Sequence, residues 1–238
     1  MTLLTIVQNA CKAVGVPSPA AVIGNADTNI AQMLSLLNDE ITQLGRKKGW
    51  AELAVLSTWT TVATSDQGAV TTVIGPDFDR FVPGTEWDRS LIRPLGGPRT
   101  PQGWAQDLAF PAAGPYYNFR IYGSPLHVFF FPAQAAGQLV AWEYISNQVV
   151  LAADGITGKT SFTADTDTSK LDETMVKLGL VVRYKAEKGL RFDANLVAYQ
   201  DAIEERFASN GGGPKTLHMT GYDRFRWSHL PDGNWPSQ

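Results

Sequence analysis

The chain has 238 residues, 44% hydrophobic and 18% charged, a balance that excludes a disordered chain and fits one large domain or two small ones. One cysteine, Cys11, excludes an intrachain disulfide framework and a multi-cysteine zinc site, and the three histidines (His127, His218, His229) lie far apart, so neither metal nor cofactor is expected. A net charge of −3 with a pI near 5.6 gives no whole-chain attraction to nucleic acid or anionic lipid.

The first 50 residues predict two helices. Leu3, Ile6, Val7, Ala10 and Val14 form an apolar stripe at helical period, with Thr2 as cap and Gly15 and Pro17 as stop. Asp27 caps a second helix whose stripe is Ile30, Leu34, Leu37, Ile41 and Leu44. Arg46, Lys47 and Lys48 complement its dipole, and Gly49 ends it. No apolar run approaches the ~20 residues of a bilayer span, so no membrane partner is expected. The start, Met1-Thr2-Leu3-Leu4, lacks the basic region of a secretion signal.

From Ala54 the period changes to that of strands. Val55–Thr64, Val70–Ile74, Phe81–Val82, Tyr116–Tyr122, Leu126–Phe131 and Leu139–Ile145 are short runs rich in β-branched and aromatic residues. Gly- and Pro-rich turns such as Gly75-Pro76, Gly96-Gly97-Pro98 and Gly123-Ser124-Pro125 separate them, which predicts an antiparallel sandwich or small barrel. Thr100-Pro101 opens a single helical turn, and Val149–Leu151 with Thr160–Phe162 form a hairpin around Asp154-Gly155.

Helices return near residue 169, where Ser169 is the expected cap, with Asp172 three residues on, before a stripe of Leu171, Met175, Leu178 and Val182 that ends at Gly189. Asp193 caps the last helix, with Leu196, Tyr199, Ile203 and Phe207 as its stripe and Gly211-Gly212-Gly213-Pro214 as its stop. Neither pair of helices can bury its apolar face alone, so the expected class is α+β: a helical bundle from the two ends of the chain, an inserted antiparallel β-sandwich or barrel domain, and an extended C-terminal tail. The boundaries are 1–53 and 169–212 for the bundle, 54–168 for the insert and 213–238 for the tail. That tail holds Tyr222, Arg224, Phe225, Arg226, Trp227 and Trp235, the residue types that anchor partners, and these are the candidate contact residues.

No constellation points to an enzyme. Ala153–Thr160 ends in Gly-Lys-Thr like a phosphate loop, but the leading glycine is Ala153 and strand-like residues follow where a helix must start, so a turn is expected. Asp165–Ser169 opens like a calcium loop, yet Lys170 and Val176 stand where glycine and glutamate belong. Asp201 with Glu204 or Glu205 sits on the polar face of a helix, where charges are solvated rather than paired for glycoside cleavage. His127 reads as a structural donor and Cys11 as a small buried hydrophobe. Trp59, Trp87, Trp104 and Trp142 suit either a sheet core or a sugar-stacking surface, and the core is preferred.

Several strings, in their order and spacing, resemble one family. They are Leu4-Thr5-Ile6-Val7-Gln8, Val14–Pro19, Gln32–Asn38, Pro76–Phe81, Glu86–Arg89, Arg93-Pro94-Leu95, Tyr117–Gly123, Trp142–Ser146, Phe162–Asp167 and Lys188-Gly189-Leu190. Across about residues 3–210 the chain resembles the head-to-tail adaptors of tailed bacteriophages, of the connector or tail tubular protein A type found in short-tailed phages. It departs from that pattern at Asp172, where members often carry proline, and after Gly213. The resemblance implies a virion protein, assembled in the host cytoplasm and located in the neck or tail. It implies a ring of about twelve copies between the portal protein and the tail nozzle protein, around a channel through which double-stranded DNA passes without sequence-specific binding. The alternatives are a monomeric carbohydrate-binding β-sandwich module or another phage tail component.

Overall fold

Thr2 accepts a hydrogen bond from the Thr5 N–H and opens α1 (Leu3–Val14), which Gly15 closes in the left-handed conformation at φ 76°. Asp27 caps α2 (Thr28–Lys47) through the Asn29 N–H. The helix stops short of Gly49, and its terminal carbonyls are taken up from outside. Arg80 donates to the carbonyls of Gly45 (3.1 Å) and Lys48 (2.7 Å), and the Trp50 indole donates to that of Leu44 (2.7 Å). The computed structural model describes residues 1–110 and 117–209.

The β region follows in chain order as β1 (Ala54–Thr60), β2 (Asp66–Ala69), a one-turn helix α3 (Val70–Val73), β3 (Phe78–Phe81), β4 (Trp87–Asp88) and β5 (Arg93–Pro94). Helix α4 (Pro101–Ala109) precedes β6 (Asn118–Tyr122), β7 (His127–Phe131) and β8 (Leu139–Ser146). Short pairings β9 (Val150–Leu151), β10 (Gly158–Lys159) and β11 (Thr168–Ser169) lead into α5 (Glu173–Glu187) and α6 (Asp193–Ser209). β8 is the spine of the larger sheet: β1 lies along one side, and β3 then β4 along the other, with β5 beyond β4. A second sheet runs β2-β7-β6 and a third β10-β9-β11. All named strand pairs are antiparallel, so the fold is mixed α+β with antiparallel sheets, and among the described residues no sheet closes into a barrel.

Two apolar cores result. One joins both ends of the chain: Leu3, Ile6 and Val7 of α1, Met33, Leu37 and Ile41 of α2, and Met175, Val176 and Leu180 of α5, with Val149, Val150 and Phe162 sealing its base. The other lies in the β region around Trp142, which meets Trp59 at 4.5 Å, Phe119 at 5.2 Å and Phe81 at 6.4 Å between ring centres.

The structure corrects several sequence expectations. Val70–Ile74 is not a strand. One helical turn places Val70 and Ile74 on the same buried face, and that burial outweighs their β preference. The α5 cap is Asp172, whose carboxylate accepts from the Thr174 and Met175 N–H groups, because Ser169 is held in β11 opposite Val150. Asp193 is the first residue of α6 rather than its cap. The single turn at Thr100 extends to the nine residues of α4, and the hairpin at Asp154 pairs Gly158 with Leu151, two residues before the expected Thr160. Helix α5 is buried on most sides, its Gly179, Leu180 and Val181 lying beyond the predicted stripe, because α1, α2 and α6 all pack on it.

Candidate interaction surfaces

The tail residues Tyr222, Arg224, Phe225, Arg226, Trp227 and Trp235, together with the Gly211–Pro214 stop, lie outside the described residues.

Several of the other sequence candidates are held in local structure. Lys159, the would-be phosphate lysine, donates to Asp167 (2.8 Å) and to the Thr163 hydroxyl (2.9 Å). Asp167 is 1% exposed and also accepts from the Thr163 and Ala164 N–H groups. Burial alone raises its carboxyl pKa, but Lys159 and the two amides outweigh that and hold it below the ordinary value of 3.8. Asp165, the first residue of the calcium-like string, accepts from the Val22 and Ile23 N–H groups and so ties the α1–α2 loop down. In the Asp154 turn the carboxylate accepts from the Thr157 hydroxyl and from the Ile156 and Thr157 amides, and its pKa falls to about 2. Cys11 is buried with its Sγ 3.5 Å from the Met33 sulfur, and burial raises its pKa. Glu204 pairs with Lys48 at 3.2 Å, while Asp201 and Glu205 are exposed. Among the described residues no group of His, Cys, Asp and Glu is placed to hold a metal ion, and no helix is long and apolar enough to cross a membrane.

Two polar clusters escaped the sequence reading. Glu40 on α2 is 4% exposed and accepts from Arg183 of α5 and Tyr199 of α6, so a single carboxylate joins three helices. Gly179 makes room for it, since a Cβ there would stand 2.6 Å from Glu40 Oε1. Burial, followed by the bond to Glu40, raises the Tyr199 phenol well above its ordinary pKa. The signal was present in the spacing: residue 40 falls three after Leu37 and one before Ile41, on the buried side of α2. The second cluster centres on Asp77, which accepts from the hydroxyls of Tyr144 (2.7 Å) and Ser146 (2.5 Å). These bonds outweigh the effect of burial and lower its pKa.

The described surface is unusual in its aromatics. Along the β6–β7 hairpin, Phe119, Val128 and Phe130 point into the core, while Arg120, Tyr122, His127, Phe129 and Phe131 share the opposite face. There Tyr122 stacks on Phe129 at 4.3 Å, Arg120 lies over Tyr122 at 4.6 Å, and His127 Nδ1 meets the Asp66 carboxylate at 3.0 Å. Of the four β-region tryptophans, Trp142 and Trp104 are buried and Trp59 is half-buried against Trp142, whereas Trp87 is 41% exposed. Trp87 stands opposite Ala141 on the outer face of the larger sheet, and a few residues on, in the β4–β5 turn, Ile92 is 75% exposed with φ 54°. A β-branched residue in that region is strained.

Two voids open among the described residues. A void of about 130 Å³ sits between the end of α2 and the end of β8, lined by Thr42, Arg46, Asp79 and Asn147, with Arg46 and Asp79 3.3 Å apart. A second, of about 390 Å³, runs along α6 beside Lys47, Gln200 and Glu204 and is mostly polar. No protein-family model matches the chain, and no curated protein matches it.

Proposed function

We propose that this chain is a structural virion protein: a head-to-tail adaptor that forms a ring of about twelve copies between portal and tail nozzle and lines the channel for exiting DNA. The observation that carries the reading is the run of family-like strings in family order from about residue 3 to 210. The shared core of α1, α2, α5 and α6, with a second core inside residues 54–146, is consistent with it. On this reading the first core is the helical bundle that docks on the portal, and the β region is a sandwich-like insert facing the nozzle. On the same reading Tyr222, Phe225 and Trp227 are contact residues for the portal or a neighbouring subunit.

A ring of twelve chains at −3 carries about −36, and a negative bore lets DNA slide without pairing to the wall. The test is electron microscopy of the chain mixed with a portal ring from the same genome. The reading requires a new ring-shaped layer on one face of the portal, and portals left bare at saturating chain refute it. One observation favours a second reading, a monomeric carbohydrate-binding module: the Arg120–Tyr122–Phe129 ladder and Trp87 present aromatic faces of the kind that stack on sugars. Tryptophan fluorescence that shifts saturably on glycan titration, with no portal binding, would select it.

A further inference from the structure

An open sheet edge presents unpaired N–H and C=O groups to any matching strand, and folded proteins blunt such edges with charge, proline, bulges, short length or a covering segment. β6 is covered by residues 96–99, where the Phe119 N–H donates to the Gly96 carbonyl and the Arg99 N–H to the Phe119 carbonyl, both at 2.8 Å. β2 and β3 are bulged and carry Asp66, Asp79 and Arg80. β5 and β10 are two residues long, with Pro94 in one and Lys159 in the other, and β11 is bridged to Thr2. β1 has none of these devices. It pairs with β8 over all seven residues without a bulge, it contains no charge, proline or glycine, and on its other side no backbone partner is found among the described residues. Five of its seven residues are exposed, among them Leu56 at 55%.

The backbone directions along β1 follow from its register. The Thr61 N–H donates to the Gln138 carbonyl at 2.9 Å, so by alternation Val55, Ser57 and Trp59 bond β8, while the N–H and C=O groups of Leu56, Thr58 and Thr60 point away from it. Their opposite residues on β8 obey the same alternation. Glu143, opposite Leu56, accepts from the Val82 N–H, and Leu139, opposite Thr60, accepts from the Arg89 N–H. Ala54 is already engaged, its N–H donating to the Ala51 carbonyl. Among the described residues the free edge is therefore Leu56, Thr58 and Thr60, symmetric about Thr58.

We propose that this edge pairs with the same edge of a second copy of the chain, antiparallel about a two-fold axis through Thr58. Such pairing places Leu56 opposite Thr60 of the second copy and Thr58 opposite its own counterpart, three pairs that exchange about six backbone hydrogen bonds. No charge meets a like charge across the axis, and the three side chains all stand on the outer face that carries Trp87. The other edges single out the occupant. Each of them is blunted, so among the described residues of a second copy only β1 offers an open strand of matching length. The pair belongs to the free chain and does not rest on the adaptor reading. A ring whose only symmetry axis runs along its channel holds no such two-fold, so on that reading the pair must open before a copy joins the ring.

The test is native mass and site-specific cross-linking of the full-length chain with no other protein present. The expected mass is that of two 25.9 kDa chains, falling to one in Thr58→Lys, which sets two cations side by side on the axis. Under mild oxidation Thr58→Cys is expected to form a disulfide-linked dimer, because hydrogen-bonded antiparallel pairs lie about 5.5 Å apart between Cα atoms. In the same register Thr60 lies about 14 Å from Thr60 of the second copy, four residues along, so Thr60→Cys is expected to cross-link at least about tenfold more slowly. Cys11 is fully buried and does not compete. A wild-type chain that stays monomeric at every soluble concentration overturns the proposal. So does a dimer that Thr58→Lys leaves intact, or one in which Thr60→Cys links as fast as Thr58→Cys. Assemblies larger than two copies overturn it as well, because a two-fold pair uses up the edge. Portal binding does not enter this readout, so the adaptor reading stands or falls separately.

Discussion

The helical region ties its helices together with ion pairs, and the β region leaves aromatic surface outside. Around α2, α5 and α6 the charges are spent on the fold itself: Glu40 serves Arg183 and Tyr199, and Arg206 serves Glu52. In the β region the outer faces carry Trp87, Tyr122, Phe129 and the exposed Leu56 and Ile92. The first region joins α2, α5 and α6 through a buried carboxylate. The second carries surface that costs free energy in water unless a partner covers it.

The strongest way to break the comparison is to remove the centre of the β core. Trp142 is 0% exposed, and Trp142→Ala is expected to cost about 4 kcal/mol. If the regions are distinct units, hydrogen exchange will show β8 amides losing protection while α2 and α5 keep theirs. Joint loss would mean one cooperative core. Glu40→Ala attacks the other side. It strands Arg183 and the Tyr199 hydroxyl, with an expected loss of about 3 kcal/mol in urea unfolding. A loss no larger than that of an ordinary surface change would show the three-helix junction to be unimportant.

Asp167→Asn tests the joint beneath the helical core, with an expected loss of about 2 kcal/mol at neutral pH. The sign with pH follows from the depressed carboxyl. The stabilisation is complete above the ordinary value of 3.8 and is lost as pH falls through the lower folded value. The gap between wild type and variant should therefore close on acidification from about pH 5 to pH 2, and a gap that stays constant would contradict the assignment. The smallest effect is a gain. Ile92→Gly relieves a left-handed residue that is 75% exposed and should stabilise the isolated chain by about 0.7 kcal/mol in thermal unfolding.

The helical half was largely legible in the sequence because its signals are local. Thr2, Gly15 and Asp27 act where the spacing placed them, and the stripes of α1 and α2 face the core. The β half was legible in its longer strands β1, β6, β7 and β8, whereas β2 was not expected and β3 begins before the expected Phe81. A run such as Val-Thr-Thr-Val-Ile carries β propensity, and only the tertiary demand to bury residues 70 and 74 together turns it into a helix. β4 and β5 are two residues each and have no period to detect. The Glu40 junction needs Gly179, Arg183 and Tyr199, residues far away in the chain, and no local pattern links them. Of the surface candidates, the tail aromatics stood out in composition. The hairpin ladder did not, because its face is defined only once β6 and β7 are in register.

The most direct measurement is the native mass of the chain mixed with a portal ring from the same genome. The account predicts one dominant complex heavier than the portal by about twelve chains, the closed ring that a heterologous interface completes. A chain that stays monomeric beside intact portal contradicts the adaptor function, and the exposed aromatics of the β region would then belong to another ligand.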